Sequence, residues 1–471
     1  MTESRAAREH TVARHGRTST AFAAVGDHLH CWRPPAAAGL PEDALVAYAT
    51  PVGAMVVAGE PVAPLDGLVA VAESFLAHAA ARGKRASFFA TEGRLASSAA
   101  LSRLLIGEQP VWDPRQWPAN VATHRSLREQ IRRARAKGVH SREVSAPQMA
   151  TPAVQRAVAL LVRRWRATRS MAEMGFLVTI DLNSGASSRR QFLAVQHGRV
   201  AALLSLAPVP TRSGWVFEHV VRDPDAPNGT LELLVDHAMR TLAAEQVPWA
   251  TLGLAPLHGP VVGWLRRIRQ WSTPLFNFEG LAAFKRKLRP THWEPMYLAW
   301  PVQDTEWRAL RDGLRAFAGG SLWRFALRTV LRGPAPLLLA LEWLLVPWTI
   351  ALALVPTTPW FPSTAVHAAW VAFDGALLLA LRLVRTQQAR THRARQLVAR
   401  AATGVALAVS LDAVLSLLQA IWWNVPRMHT VADWLLLLVA GAAPLAATPV
   451  LWGAAQRLRT LAVQRPIIFP P

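Results

Sequence analysis

The residues best placed to do chemistry fall in two short stretches. The first is "FNFEGLAAFKRKLRPTHWEPMYLAW", Phe276 to Trp300, with lysines at 285 and 287. These are two of only four lysines in a chain of 471 residues that carries 48 arginines. A lysine ammonium is a compact charge on a mobile stem, and burial tunes its pKa, which is a reason to keep Lys where Arg is the rule. On a strand the two lysines share a face; on a helix they diverge by roughly 200°. The stretch reads as a strand, a turn at Gly280, and a helix or strand ending at Pro290, with a solvated basic turn as the plain alternative. The second stretch is "VFEHVVRDPDAPNGTLELL" (216–234), where Asn228, Gly229 and Thr230 lie between a strand and a helix start. Asn or Thr caps such a helix, and Gly lets the backbone approach a ligand closely. Free N–H groups and the helix dipole make an anion pocket there, to which Arg222 adds a charge. A plain capped helix is the structural alternative.

A third feature is the basic helix "HRSLREQIRRARAKGV" (124–139), with Arg125, Arg128, Arg132, Arg133, Arg135 and Lys137. It is a footprint for nucleic acid or an acidic membrane, and equally a solvated face. "LVRRWRATR" (161–169) adds four arginines around Trp165.

The elements that position these residues read as mixed α/β. "ALVAYATPVGAMVVAGEPVAP" (44–64) is a hairpin around Pro51-Val52-Gly53, followed by an amphipathic helix (65–86) and the strand "SFFAT". Residues 189–221 read as three antiparallel strands turning at His197-Gly198 and Arg212-Ser213-Gly214. The helix "TLELLVDHAMRTLAAEQ" and the strand "WATLGLAP" follow. The pattern is two α/β units in tandem, each a meander followed by a helix.

Composition breaks near residue 334. Beyond it lie four apolar stretches, 336–356, 365–384, 401–423 and 431–454. Each has about the 20 residues a helix needs to cross a bilayer, and tryptophans flank them. The 382–400 connection and the C-terminal tail are arginine-rich, whereas "TTPWFPST" (357–364) has no charge. The positive-inside rule then puts everything before residue 334 and both termini on the cytoplasmic side of an inner (cytoplasmic) membrane, in a multi-pass arrangement. Residues 304–333 are Arg-rich with interleaved aromatics and suit the anionic inner leaflet or an ordinary surface helix. Glu342, Asp374 and Asp412 lie inside the apolar stretches, as functional or helix-pairing groups. Net charge is +22, which favours polyanionic partners without naming one. A single cysteine, Cys31, excludes an intramolecular disulfide framework and a Cys-based zinc site. No metal site or cofactor is expected. No G-x-S-x-G elbow, Walker A loop, H-E-x-x-H or post-strand G-x-G-x-x-G occurs, so hydrolase, ATPase and metalloprotease readings lack a motif.

Residues 20–301 resemble the C-terminal catalytic region of the phosphatidylglycerol lysyltransferase (multiple peptide resistance factor) family. The resemblance runs through "LVAYATPVGAMVVAGEPVAP", "LIGEQPVW", "LREQIRRARAKGV", "RDPDAPNGTLELL" and "LGLAPL", and closes with the aromatic-x-GL-x-x-aromatic-K-x-K ending before Pro290, Trp293 and Tyr297. It implies tandem GNAT-like domains and transfer of an aminoacyl group from charged tRNA to a lipid glycerol hydroxyl, with aminoacyl-tRNA as co-substrate and an anionic phospholipid as partner. Glu218 stands where the family commonly has Asp, and Val221 where an Arg is usual, with Arg222 next to it. The membrane helices follow the catalytic part here, whereas in familiar members they precede it. On this reading Glu218 or His219 serves as base, and Lys285 or Lys287 neutralises tRNA phosphates or the developing oxyanion. Arg222, Asn228, Gly229, Thr230, Glu279 and Tyr297 are substrate-binding candidates, with packing as the alternative for Tyr297. Arg128, Arg132, Arg133 and Arg135 are candidates for tRNA or phosphate contacts.

The expected organisation is a disordered tail (1–18), an N-terminal GNAT-like domain (19–115), a catalytic GNAT-like domain (116–301), a basic amphipathic linker (302–334), four transmembrane helices (335–455) and a cytoplasmic tail (456–471). The alternatives are a GNAT-type N-acyltransferase using acyl-CoA or acyl carrier protein, and a small flippase or binding protein whose soluble part has lost activity.

Overall fold

The computed structural model describes residues 4–36, 39–271, 276–386 and 392–469. Strands are numbered β1 to β12: His30–Trp32, Val46–Ala49, Ala54–Ala58, Arg85–Thr91, Leu101–Trp112, Val139–Val144, Arg190–Gln196, Arg199–Val209, Gly214–Arg222, Trp249–Thr251, Ala255–Pro256 and His292–Pro301. Helices of ten residues or more are numbered α1 to α12: Arg5–His15, Leu68–Ala80, Arg125–Ala136, Pro152–Ala167, Thr230–Ala244, Phe278–Lys287, Glu306–Phe317, Leu322–Leu331, Ala335–Leu354, Thr364–Thr386, His392–Gln419 and Val431–Ala462.

The chain forms two compact units: Met1–Trp165, Glu173–Phe325 and Arg465–Pro471 make the first, Arg166–Ala172 and Ala326–Gln464 the second. The first is α/β. Its strands join in one mixed sheet in the order β1-β2-β3-β4-β12-β5-β10-β9-β8-β7-β6, with β11 paired to β5 off that path. The expected meander is present as β7, β8 and β9. Its first turn is His197-Gly198, both at positive φ (49° and 73°), the conformation that matches hairpin twist. β9, α5 and β10 form a β-α-β unit, because β10 returns parallel to β9. On one face of the sheet α3 buries Leu127, Ile131 and Ala134 and turns its arginines outward, packing with Leu233, Leu234 and Leu242 of α5 over Phe192, Leu204 and Phe217. On another part of the sheet α4 contributes Val154, Val158 and Leu161 to a core with Leu193, Leu203 and Val221.

Several boundaries differ from the sequence expectation. Residues 5–15 are a helix, not a disordered tail: Val12 and Thr11 are buried, and the buried Arg8 guanidinium donates to Gly26 O (2.9 Å) and pairs with Asp27 (2.6 Å). The division at residue 115 does not separate two sheets. β12, late in the chain, inserts between β4 and β5 and is antiparallel to both. The start of the supposed linker belongs to the first unit, since α7 buries Asp312 beneath a two-pronged contact from Arg85 (2.8 and 3.0 Å). Phe278–Lys287 is a helix with Gly280 inside it, so the strand and turn expected there do not form. Asn277 caps it by accepting from Gly280 N.

The tail also joins the first unit. Ile468 and Phe469 N–H groups both donate to Gly198 O (2.8 and 3.1 Å), and Arg142 lies 4.4 Å over the Phe469 ring. A Cβ on Gly198 would sit 2.4 Å from Phe469 O, so this turn needs glycine twice over. Arg465 donates to Val200 O (3.0 Å) and lies 3.8 Å from Asp223, which the buried Arg164 holds at 2.7 Å.

The second unit carries four helices long and apolar enough to cross a membrane: Ala335–Leu354, Thr364–Arg385, His392–Arg427 and Val431–Ala462. Glu342 of α9 is clasped by Arg385 of α10 (2.6 and 3.2 Å), which gives that acid a helix-pairing role. Asp374 is buried, and Asp412 accepts from Ser416 (3.0 Å). Trp370, Gln419, Asn424 and the Trp360 carbonyl form a further hydrogen-bonded cluster.

Candidate functional site

The β-α-β unit opens where its two parallel strands part. β10 pairs with β9 only as far as Thr251 opposite Val216; β9 then runs on alone on that side to Arg222. Ser205 of β8 faces His219 and Leu206 faces Phe217, so Glu218 is an extra, unpaired residue: a β-bulge. The extra residue shifts the side-chain alternation by one. Phe217 and Val220 pack into the core under α5, and Glu218 and His219 turn toward the opposite face. Both candidate bases therefore stand together just past the point where the sheet opens.

Arg189 pairs with the Glu218 carboxylate and also donates through Nε to Ser184 O (3.1 Å), its guanidinium 4.6 Å from the Phe22 ring. Burial pushes the Arg189 pKa down to about 10. His219 is buried, and burial together with the nearby Arg189 charge lowers its pKa to about 3. The imidazole is thus neutral in the physiological range. Its Nε2 has no hydrogen-bond partner among the described residues and lies 3.6 Å from the Glu218 carboxylate. Nearby, burial pushes the Asp181 carboxyl up, but hydrogen bonds from Ser184 and Asn183 outweigh it and hold it below its ordinary value.

The other lip of the opening is the turn after β10. Lys285 Nζ donates to three successive carbonyls, Leu252 (2.9 Å), Gly253 (2.8 Å) and Leu254 (2.8 Å). That uses every proton of an ammonium. Burial lowers its pKa to about 7, while three acceptors that need three protons favour the charged form. Lys287, nearly half a turn round α6, reaches the opposite way. It pairs with Glu232 in the first turn of α5 (2.6 Å) and donates to Gln130 of α3. The helical divergence has a consequence: one lysine pins the turn after β10, the other pins the start of α5, and α6 clips the β-α-β unit across its open end. Trp112 adds a bond from its indole N–H to Leu288 O (2.9 Å).

The loop after β9 differs from a glycine-lined anion pocket. Gly229 is the N-cap at φ 93°, with no side-chain cap bond. A Cβ there would meet Gln130 O at 2.2 Å, so Gly229 admits the backbone of α3 rather than a ligand. Asn228 faces Arg222 (3.4 Å), and Thr230 is buried with its hydroxyl on Pro227 O (2.7 Å). Glu279 is exposed and 3.6 Å from Arg269. Tyr297 lies apart from this opening, packed in the core under α2 with Arg103 5.2 Å from its ring. Along α3, Arg132 and Arg133 share Glu129, Arg128 donates to Ala122 O, and Arg135 lies 3.4 Å from Asp236.

The sequence reading missed two arginines. Arg189 is the partner of Glu218. Arg212, taken only as a turn residue, joins Glu92 (2.7 Å) and Glu294 (3.1 Å) and lies 4.7 Å over Trp249. Gln109 and Ser19 extend that network (2.8 Å each), fixing the β8–β9 turn against the strands of the N-terminal half. Neither arginine has a local motif, because each partner is distant in sequence.

The model of a family described as phosphatidylglycerol lysyltransferase, C-terminal, matches residues 9–300, more than half of the chain. The chain belongs to that family. The match spans the strand opening, the bulge and the α6 clip. A bifunctional lysylphosphatidylglycerol biosynthesis protein, LysX, of Mycolicibacterium gilvum is 25% identical over 276 residues, 54% of this chain and 24% of that protein. An uncharacterised Corynebacterium glutamicum protein is 24% identical over 289 residues, 57% of this chain and 36% of its own length. The chain thus spans about a quarter to a third of these relatives. Among solved structures, the C-terminal DUF2156 domain of an Agrobacterium fabrum protein superposes with TM-score 0.56 at 22% identity, covering 68% of this chain and 98% of that one. The L-PGS structure from Bacillus licheniformis gives 0.57 at 18% identity, covering 66% and 96%. These likenesses show the fold of the α/β part, which four long apolar helices follow in this chain.

Proposed function

We propose that this protein is a membrane-anchored aminoacyltransferase that moves an aminoacyl group from charged tRNA to a hydroxyl of a membrane lipid such as phosphatidylglycerol. The observation that supports the reading is the family match over residues 9–300, a span that includes the Glu218 bulge. In the step, the lipid hydroxyl oxygen attacks the ester carbonyl of the aminoacyl-tRNA. The new ester bond forms, the bond to the ribose oxygen breaks, and the hydroxyl proton ends on that ribose oxygen. One ester replaces another, so the step needs orientation and a proton carrier and no further energy source. Glu218, an unpaired strand residue set by Arg189, takes the proton, and the neutral His219 beside it is available to relay it. The four apolar helices keep this domain at the surface where the acceptor lies, with the basic loop and tail on the cytoplasmic side.

The test is full-length protein in phosphatidylglycerol liposomes, given tRNA charged with a labelled amino-acid mixture. RNase-sensitive label in the lipid phase is the expected result. Label from acyl-CoA but from no charged tRNA would replace this reading with an N-acyltransferase.

A further inference from the structure

The second unit holds a cleft that none of the candidate site residues lines. It is about 640 Å³ and lies between the first turns of α11 and the last turn of α12. His392, Gln396, Arg400, Thr403, Gly404 and Leu407 fall along one side of α11 at steps of three to four residues. Arg459, Ala462, Val463 and Gln464 face them from α12 and the residues after it. Among the described residues no carboxylate lines the cleft. Arg459 Nε donates to Thr403 Oγ1 (3.0 Å), which steadies the guanidinium. Its two terminal nitrogens, and the whole guanidinium of Arg400, meet no protein acceptor among the described residues. Gln396 leans on His392 (2.9 Å). Beyond this polar rim the wall becomes apolar through Ala399, Leu407, Ala462 and Val463, and a Cβ built on Gly404 meets nothing within 4 Å.

Two arginines with open forks suit an oxyanion of phosphate type, which accepts paired N–H bonds. The apolar wall running from it along a membrane helix suits acyl chains. We infer that this cleft binds the phosphodiester of an anionic phospholipid, as a lipid site on the helices separate from the Glu218 opening. It rests on the reading that these helices span a membrane, and it stands apart from which group the enzyme transfers.

The experiment uses the full chain. Flotation with vesicles of phosphatidylcholine alone tests membrane insertion first. Failure to float with any vesicle would overturn the membrane reading and this proposal together. For protein that floats, native mass spectrometry from neutral detergent reads lipid retained against added phosphatidylglycerol, phosphatidylcholine or inorganic phosphate. Retention of phosphatidylglycerol over phosphatidylcholine, weakened roughly 30-fold in Arg400→Gln/Arg459→Gln, is expected from two surface charges. Gly404→Leu fills open space without removing charge and should weaken retention likewise, and Arg427→Gln, outside the cleft, should not. Equal retention of the two lipids, or no effect of the cleft variants, would overturn the site. Displacement of the lipid by millimolar inorganic phosphate would make it a small-anion site and overturn its assignment to lipid.

Discussion

Replacing Lys285 by Met keeps the length of the side chain and removes its three donors. Each bond runs from an ammonium to a neutral carbonyl, a class worth about 1.5–3 kcal/mol. All three are lost, and the Leu252, Gly253 and Leu254 carbonyls are left short of a donor. Against this, Met avoids the desolvation of a buried ammonium, an effect of roughly several kcal/mol. The balance is a destabilisation of about 3 kcal/mol, or roughly 100-fold in the opening equilibrium of the turn after β10. Hydrogen exchange read by mass spectrometry on peptides covering 249–256, in the full chain in neutral detergent, measures this locally. Exchange should accelerate by that order, and lipid labelling should fall with it because one lip of the site is released. The reasoning would be refuted by a variant that exchanges as slowly as wild type and unfolds within about 0.5 kcal/mol of it, yet transfers nothing. That result would mean that the ammonium serves the substrate directly rather than the turn.

Glu218→Gln preserves shape and removes the proposed proton acceptor; transfer should drop about 10²–10⁴-fold, while binding of charged tRNA changes little. Filter binding and lipid labelling on the same preparation separate the two. His219 titrates near 3 when folded and near 6.5 when unfolded. The unfolded chain therefore binds more protons between those values, and stability rises with pH across that window by about 1.4 kcal/mol per unit. Denaturant midpoints from pH 4 to 6.5 should show the slope in wild type and a flatter one in His219→Asn; equal slopes would dismiss a buried neutral imidazole. Gly229→Ala meets both a positive φ and Gln130 O, so it should cost about 3 kcal/mol in a thermal or denaturant scan, more than a glycine-to-alanine change elsewhere in a helix.

Local signals carried much of this domain. Alternation of apolar residues through 189–221 marked three strands, and the His197-Gly198 pair marked a turn that proves to have two positive φ angles. The length and apolarity of the stretches within 335–455 marked the four long helices, the last of which runs on to Ala462. What escaped was set by partners far along the chain. In "WVFEHVV" nothing says which residue is extra; the bulge at Glu218 is defined only by its register against β8. Lys285 bonds to backbone, which has no sequence signature, so a pinned lysine and a substrate lysine read alike. Residues 278–287 carry a glycine and clustered aromatics that suit a turn, but Ala282, Phe284 and Lys285 are drawn inward by packing and the segment stays helical. The N-terminal helix holds few apolar residues, and its anchor is an arginine satisfied by the Gly26 carbonyl and Asp27.

The docking of residues 465–469 on the β7–β8 turn sets an order of events during synthesis. Everything else in the α/β unit has been made once residue 325 emerges, but its closing segment waits behind the four long helices. At about 5–20 residues per second that delay is roughly 7–28 s. Through that interval Asp223 has Arg164 but not Arg465, and the Gly198 carbonyl has neither of its two donors. The hairpin β7–β8, whose second strand also holds His219 in register, is therefore completed after the helices have been made. A label fused just beyond residue 469 therefore acts on this hairpin. An epitope tag at the C-terminus and one at the N-terminus should be compared before any activity measured on tagged protein is taken as the native value.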